Sequence, residues 1–308
     1  MNRCGAIVLI FVSLLGNGAL AGDSAVNVAH AGSLITVFNG PIATAFRSSG
    51  FTFQGQGKGS VGLANMIDSG LIAPDVFVAS DANVMADLLK KHQSISWYAT
   101  FATSRLVLAY SPHSHLVNSF NQARLKRAPW TALLTRTDVK LVRTDPALDP
   151  KGYRTIILAQ LAEGYYRIPG FASSALGDDQ NAAQLQTDEG ILLRLESGDA
   201  DAAFLYAIEA ISRRLPYIEL PAELNLGDER FAARYATGSV VVNGVARRGA
   251  PIEYAFTIPS AARNPSGADA FLHFLEGGQG RRIMSEAGLT MTDLTFYGDR
   301  RLAPTDLR

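Results

Sequence analysis

The chain has 308 residues, 28 basic and 28 acidic, so its formal net charge is zero and nothing in that balance points to a nucleic-acid or anionic-membrane partner. Its length suits two domains or one large one, with the ordinary composition of a globular α/β protein. The single cysteine, Cys4, stands in the first few residues, which excludes disulfide, soft-metal and thiol chemistry from everything downstream.

The chain opens on an export pattern: Arg3 gives a basic start, Ala6 to Leu15 a short apolar run, and Ala19-Leu20-Ala21 a small-x-small cleavage site. Residues 1–21 are therefore expected to be a signal peptide, and the mature protein to be periplasmic or extracellular, soluble and monomeric. Cys4 precedes the apolar run rather than following it, which speaks against lipidation. No later stretch has the uninterrupted apolar length of a transmembrane helix.

Val26 to Ala31 reads as a buried strand, broken by Gly32-Ser33 ahead of a helical pattern from Leu34 to Arg47. Phe51 to Phe53 reads as a second strand, and Gly55 to Ser60 as a glycine-rich turn leading into a helix over Val61 to Ser69. Asp75 to Ala79 is a third strand, ending in Ser80-Asp81 before a helix over Ala82 to Lys91. Arg105 to Tyr110 is apolar enough for a central strand crossing between lobes. Trp130 to Leu134 is a short helix, Lys140 to Val142 a strand, and Asp149-Pro150 starts a long helix over Gly152 to Tyr166. The polar stretch from Gly170 to Asp188 reads as a surface loop, with room for a short helix, that carries no chemistry. Glu189 to Ser197 is helical; Ala202 to Tyr206 is a strand followed by a helix over Ala207 to Arg213. Val240 to Val242 and Tyr254 to Ile258 read as strands returning to the first lobe, and two helices close the chain over Pro265 to Gly277 and Gly280 to Ala287.

Three junctions place small donor residues where a strand ends and a helix begins: Gly32-Ser33, Gly59-Ser60 and Asp149-Pro150-Lys151-Gly152. Helix amino ends carry unpaired N–H groups and partial positive charge, so several converging on one cleft make an anion site. Each serine alone is as well explained as an N-cap of its own helix, and the combination carries the argument. Gly57-Lys58-Gly59-Ser60 lacks the Gly-Lys-Ser/Thr order of a phosphate-binding P-loop. A Ser33, His30, Asp81 triad can be assembled on paper, yet the Gly-x-Ser-x-Gly elbow is missing, so no enzyme is expected. His92, His113, His115 and His273 lack metal-site spacing and read as surface residues; no cofactor and no free metal ion is expected. Trp97-Tyr98 and Tyr165-Tyr166 are read as core or rim packing.

The segments Ala31-Gly32-Ser33-Leu34, Gly59-Ser60, Asp75 to Asp81, Phe101 to Tyr110, Asp145 to Arg154 and Leu161 to Tyr166 together resemble the periplasmic molybdate- and tungstate-binding proteins of ABC uptake systems. Pro251 to Pro259 and Phe271 to Leu275 are similar to that family's carboxyl-terminal lobe. The resemblance covers nearly the whole mature chain, is most specific over Asp149 to Arg154, and points to the archaeal-type branch. It implies an α/β, two-lobed type II periplasmic-binding-protein fold, each lobe a mixed sheet flanked by helices, with the ligand in the interlobe cleft. The lobes are expected to span 22–108 plus 238–308 and 109–237. The partners implied are a molybdate or tungstate oxyanion and an ABC permease. Ser33, Ser60, Asp149 and Tyr206 match the family's binding positions, with Gly32, Pro150, Lys151 and Tyr153 as secondary candidates; Pro150 has no N–H to give.

One departure stands out: the archaeal-type proteins carry a glutamate just before that tyrosine, where this chain has Leu205. A leucine gives no oxygen to Mo or W, so the anion is expected to stay near tetrahedral. Asp149 is then either a lone weak ligand to the bound oxyanion's metal or the cap of its helix. Glu209 is a possible substitute, though a solvent-facing salt bridge is the commoner fate of such a residue. Sulfate, thiosulfate or phosphate capture on the same fold, and a hydrolase using an anion hole, are the alternatives.

Overall fold

The computed structural model describes residues 25 to 91 and 93 to 308. The expected signal peptide and His92 lie outside the described residues. Among the described residues no helix is long and apolar enough to cross a membrane.

The first sheet contains β1 (Ala25–Ala31), β2 (Thr52–Lys58), β3 (Val76–Ala79), β4 (Trp97–Ser104), β12 (Ile252–Thr257) and β13 (Thr290–Gly298). Their order is β13-β4-β12-β3-β1-β2. β1 runs parallel to β2 and β3, whereas β12 is antiparallel to β3 and β4, so the returning chain enters the middle of this sheet. The second sheet contains β5 (Leu106–Tyr110), β6 (Leu141–Thr144), β7 (Leu185–Gln186), β8 (Ala202–Tyr206) and β9 (Tyr217–Glu219), in the order β7-β6-β8-β5-β9. Helices flank both sheets, and each sheet with its helices is a lobe. β3, β5 and β8 are buried at every residue, as expected of central strands with both faces covered.

Several elements differ from the sequence reading. Leu106 to Leu108, expected in the first lobe, pair in the second sheet, because the crossing falls at Arg105, between β4 and β5. The two crossing chains are tied side by side: Leu106 N donates to Asn225 O at 2.8 Å and Ile252 N to Leu226 O at 2.8 Å. Gly227 permits this approach, since a Cβ there would lie 2.6 Å from Arg105 Cβ. Val240 to Val242 does not return to the first sheet; it pairs with β11 (Val245–Arg248) as β10 (Ser239–Val242) of a separate hairpin.

The stretch from Gly55 to Lys58 is strand rather than turn, and the two glycines show why. A Cβ on Gly57 would overlap Ile35, and one on Gly55 would lie 2.5 Å from Asn39 Oδ1, so β2 can lie flat against the segment after β1. That segment, expected as one helix, is a succession of short turns from Gly32 to Ser49 with a π-turn over Phe38–Ile42. Pro41 sits inside the π-turn; it has no N–H for the α-helical ladder, and the widened turn accommodates its ring.

Candidate functional site

Both lobes point turns at the cleft, and the first lobe supplies hydroxyls. Gly32–Leu34 is a single 3-10 turn directly after β1, and Ser60 is the first residue of the Ser60–Asp68 helix. Ala31 and Gly59 hold the N-cap positions, so neither serine caps its own helix. Instead Ser33 Oγ is 2.7 Å from Tyr254 Oη on β12, and Ser60 Oγ accepts from Ser80 N at 3.1 Å. Both serines are buried.

The second lobe supplies charge. Asp149 caps the Pro150–Tyr166 helix, its Oδ1 accepting from Lys151 N at 2.6 Å, with Pro150 in the first turn where no N–H is needed. Lys151 sends its side chain, and not only its backbone, into the cleft: Nζ donates to Asp188 Oδ1 at 2.6 Å and to Glu209 Oε1 at 2.5 Å. Glu209 Oε2 in turn accepts from Tyr206 N at 2.9 Å, fixing the turn that carries Tyr206. Arg154 Nη1 donates to Tyr206 Oη at 2.7 Å and to Ser80 O at 2.6 Å, while Nη2 pairs with Asp81 Oδ1 at 3.2 Å. Tyr153 Oη donates to Asp81 Oδ2.

These contacts form one buried network across the lobes. From Ser60 it runs through Ser80 and Arg154 to Tyr206, whose ring meets that of Tyr254 with centroids 6.2 Å apart, and thence to Ser33. Glycines allow the lobes to touch: a Cβ on Gly32 would overlap the Asp188 carboxylate, and one on Gly59 would overlap Leu148 O. Gly62 N also donates to Leu148 O at 3.0 Å. Beside this contact lies a cavity of about 410 Å³ lined by Gly59, Asn65, Leu148, Asp149, Gln186 and Asp188.

Four buried carboxyl groups, Asp81, Asp149, Asp188 and Glu209, face two buried cations, Lys151 and Arg154. An unbalanced charge in such a place is costly, and the protonation states respond. Burial, and then the Asp188 charge, push Asp149 well above the usual carboxylate range. Burial also raises Glu209, against the pull of Lys151. Burial by itself would lower Lys151, but Asp188 and Glu209 hold it above its ordinary value, and it stays an ammonium. Burial pushes the Tyr206 phenol up as well, so its hydroxyl keeps its proton. Because Tyr206 Oη accepts from Arg154, that proton is left to donate elsewhere.

The structure thus brings Ser33, Ser60, Asp149 and Tyr206 to one cleft, with Gly32, Pro150, Lys151 and Tyr153 around them. Three expectations are corrected. Glu209 is not solvent-facing but 2% exposed, because it closes both Lys151 and the Tyr206 turn. The stretch from Gly170 to Asp188 has its short helix at Phe171–Leu176 but is not a loop without chemistry: it also holds β7, and Asp188 turns inward to Lys151. His273, read as a surface residue, is half-buried, with Nδ1 on Asp269 O. The paper triad is taken apart as well, since His30 Nδ1 is bonded to Ala31 O while Asp81 serves Tyr153 and Arg154. Ser80, Asp188 and Tyr254 were not singled out for the site by sequence; only the position of Ser80 at the end of β3 hinted at it.

Comparison with known proteins agrees with this architecture. The chain is 37% identical over 237 residues to a putative ABC transporter molybdenum-binding protein of Haloferax volcanii, covering 75% of this chain and 72% of the relative. It is 29% identical over 286 residues to the molybdate/tungstate-binding protein WtpA of Thermococcus kodakarensis, covering 84% and 80%. Among solved structures, the periplasmic molybdate-binding protein of Azotobacter vinelandii superposes with a TM-score of 0.62 at 15% identity, over 87% of this chain and 99% of that one, which shows the shared type II periplasmic-binding-protein fold. The model of a non-catalytic family matches residues 26–290, and the chain belongs to that family, the bacterial extracellular solute-binding proteins.

Proposed function

We propose that this is an exported binding protein that captures a tetrahedral oxyanion, molybdate or tungstate by preference, between its lobes and hands it to an ABC permease. The observation that carries the reading is the buried interlobe network in which Ser33, Ser60 and Tyr206 hydroxyls are held beside Lys151 and Arg154. A fully deprotonated oxyanion only accepts hydrogen bonds, so it suits a site of hydroxyl and N–H donors. The relatives named for molybdenum, molybdate or tungstate support the choice of anion. Each lobe holds part of the donor set, so the ligand completes its shell only when the lobes close, and closure is what the permease reads.

Asp149 caps its helix and Leu205 offers no oxygen, which supports a bound anion that keeps four oxygens rather than adding protein carboxylates to its metal. Phosphate is the second reading, favoured by the four carboxyl groups of the cleft, because a hydrogen phosphate brings an O–H donor that needs an acceptor. Calorimetric titration with molybdate, tungstate, sulfate and phosphate separates them. Molybdate and tungstate are expected to bind at least a hundredfold more tightly than the other two, about 2.7 kcal/mol. Tight phosphate binding with no molybdate response overturns the assignment.

A further inference from the structure

Asp188 is the first residue of the Asp188–Ser197 helix, which Thr187 caps through Gly190 N. An aspartate in that position ordinarily faces water. Here it is 4% exposed and spans the lobe contact. Its Oδ1 accepts from Lys151 Nζ at 2.6 Å, after burial its charge helps raise the Asp149 carboxyl above the usual range, and its Oδ2 lies so close to Gly32 that a Cβ there would overlap it. Gly32 opens the turn that carries Ser33. One carboxylate thus has an ammonium and a carboxyl group from the second lobe on one side and the serine turn of the first lobe on the other. Glu209 pairs with the same Nζ, so Lys151 keeps a carboxylate partner when Asp188 moves away.

We propose that Asp188 is a built-in surrogate anion, whose carboxylate fills part of the ligand's place at the lobe contact and is displaced from Lys151 and Gly32 when the oxyanion enters. The proposal rests on the oxyanion reading above and adds a rule of selection to it. A monoanion such as formate, acetate or nitrate draws the ammonium no more strongly than the resident carboxylate does, and gains nothing by displacing it. A dianion doubles the Coulomb attraction in a site of low dielectric and does displace it. Asp188 is therefore a specificity-determining residue for dianions.

The test uses Asp188→Asn, which keeps the shape and removes the charge, and Asp188→Ala, which removes the carboxylate. The full-length protein and both variants are titrated with molybdate by calorimetry, and their thermal unfolding is followed with and without formate. Asp188→Asn is expected to bind molybdate at least tenfold more tightly than the parent. Asp188→Ala is expected to gain thermal stability from formate, which fills the vacated carboxylate position, while the parent does not respond. Unchanged or weaker molybdate binding in Asp188→Asn overturns the proposal, and so does an Asp188→Ala variant indifferent to formate. If neither variant folds, Asp188 is a structural partner of Lys151 and the proposal falls. Failure of the parent and both variants to bind molybdate or tungstate sinks the oxyanion reading instead, and the formate response still decides whether Asp188 stands in an anion's place.

Discussion

The two lobes meet their common cleft with different chemistry. The first offers Ser33, Ser60 and Ser80, with Asp81 as its charged member, while the second offers Lys151, Arg154, Asp149, Asp188 and Glu209. They also treat buried basic groups differently. The first lobe keeps His30 neutral: burial lowers it to about 4, and its ring packs against Phe38 and Phe53. The second keeps Lys151 charged by placing Asp188 and Glu209 on its Nζ. A buried ionisable group must either discharge or be surrounded, and each lobe has taken one course. The first lobe thus meets the cleft chiefly with hydroxyls, and the second with charge.

The largest expected effect breaks the charged side of this contrast. Arg154→Met leaves the buried Asp81 carboxylate with the neutral donors of Tyr153 and Asn83 but without its guanidinium, and removes the tie to Ser80 O. Stranding one partner of a buried pair costs about 3–5 kcal/mol, and urea unfolding is expected to show a loss of that size. Adding Asp81→Asn to the same chain should recover most of it; a loss below about 1 kcal/mol in Arg154→Met would show that the pair does not hold the lobes together.

The neutral side is probed by acid. His30 has a folded-state pKa of about 4 against 6.5 for the free side chain, so between those values the unfolded chain binds a proton that the folded chain refuses. The stability this histidine permits is complete above 6.5 and is lost as the pH falls toward 4, a change of about 3 kcal/mol from neutrality. His30→Gln should flatten that part of the pH profile in denaturant melts, even if lost ring packing lowers stability throughout. An unaltered slope would place the acid sensitivity elsewhere.

The seam between the lobes gives the next effect. A Cβ on Gly59 would overlap Leu148 O and lie 3.0 Å from Asp149 Cβ, so Gly59→Ala should hold the lobes apart. Molybdate affinity is expected to fall about a hundredfold, roughly 2.7 kcal/mol, with little change in the melting of the ligand-free protein. Undiminished affinity would mean that binding does not need this approach of the chains.

The sequence made β1, β3 and β8 legible because each is a short buried run that stops at a turn residue, and it marked both serines because each follows a strand. β13 was not legible: its residues are mostly exposed or half-buried, and its pairing with β4 is interrupted between Met291 and Thr295. β4 was read as packing at Trp97-Tyr98 although it is rich in strand formers, because it is buried at nearly every position and so lacks the alternation that marks a half-exposed strand. The partners of the site residues were hidden for another reason. Ser33 meets Tyr254 across 221 residues, Tyr153 meets Asp81 across 72, and Lys151 meets Glu209 across 58, so only the folded chain reveals them. Asp188 was concealed by its setting, a polar stretch whose composition says surface while its packing says interior. The family likeness supplied Asp149 and Tyr206, which local pattern alone would have left as a cap and a core aromatic.

The smallest effect sharpens what the hydroxyls of the first lobe are for. Ser33 and Tyr254 share one hydrogen bond at 2.7 Å, so one of their two protons is spent on the pair and the other is left for a further acceptor. Ser33→Ala and Tyr254→Phe each leave a buried hydroxyl without that partner and should cost about 1–2 kcal/mol in unfolding, whereas the double variant should cost less than the sum by about 1 kcal/mol. Stability alone does not separate a packing pair from a pair that serves the ligand. Affinity does: Ser33→Ala is expected to weaken molybdate binding about tenfold, or 1.4 kcal/mol, while Tyr254→Phe frees the Ser33 hydroxyl to donate and leaves the affinity within a factor of about three. Equal losses in the two variants would instead make Tyr254 the donor and Ser33 its support, moving the ligand toward β12 and away from the turn at Gly32.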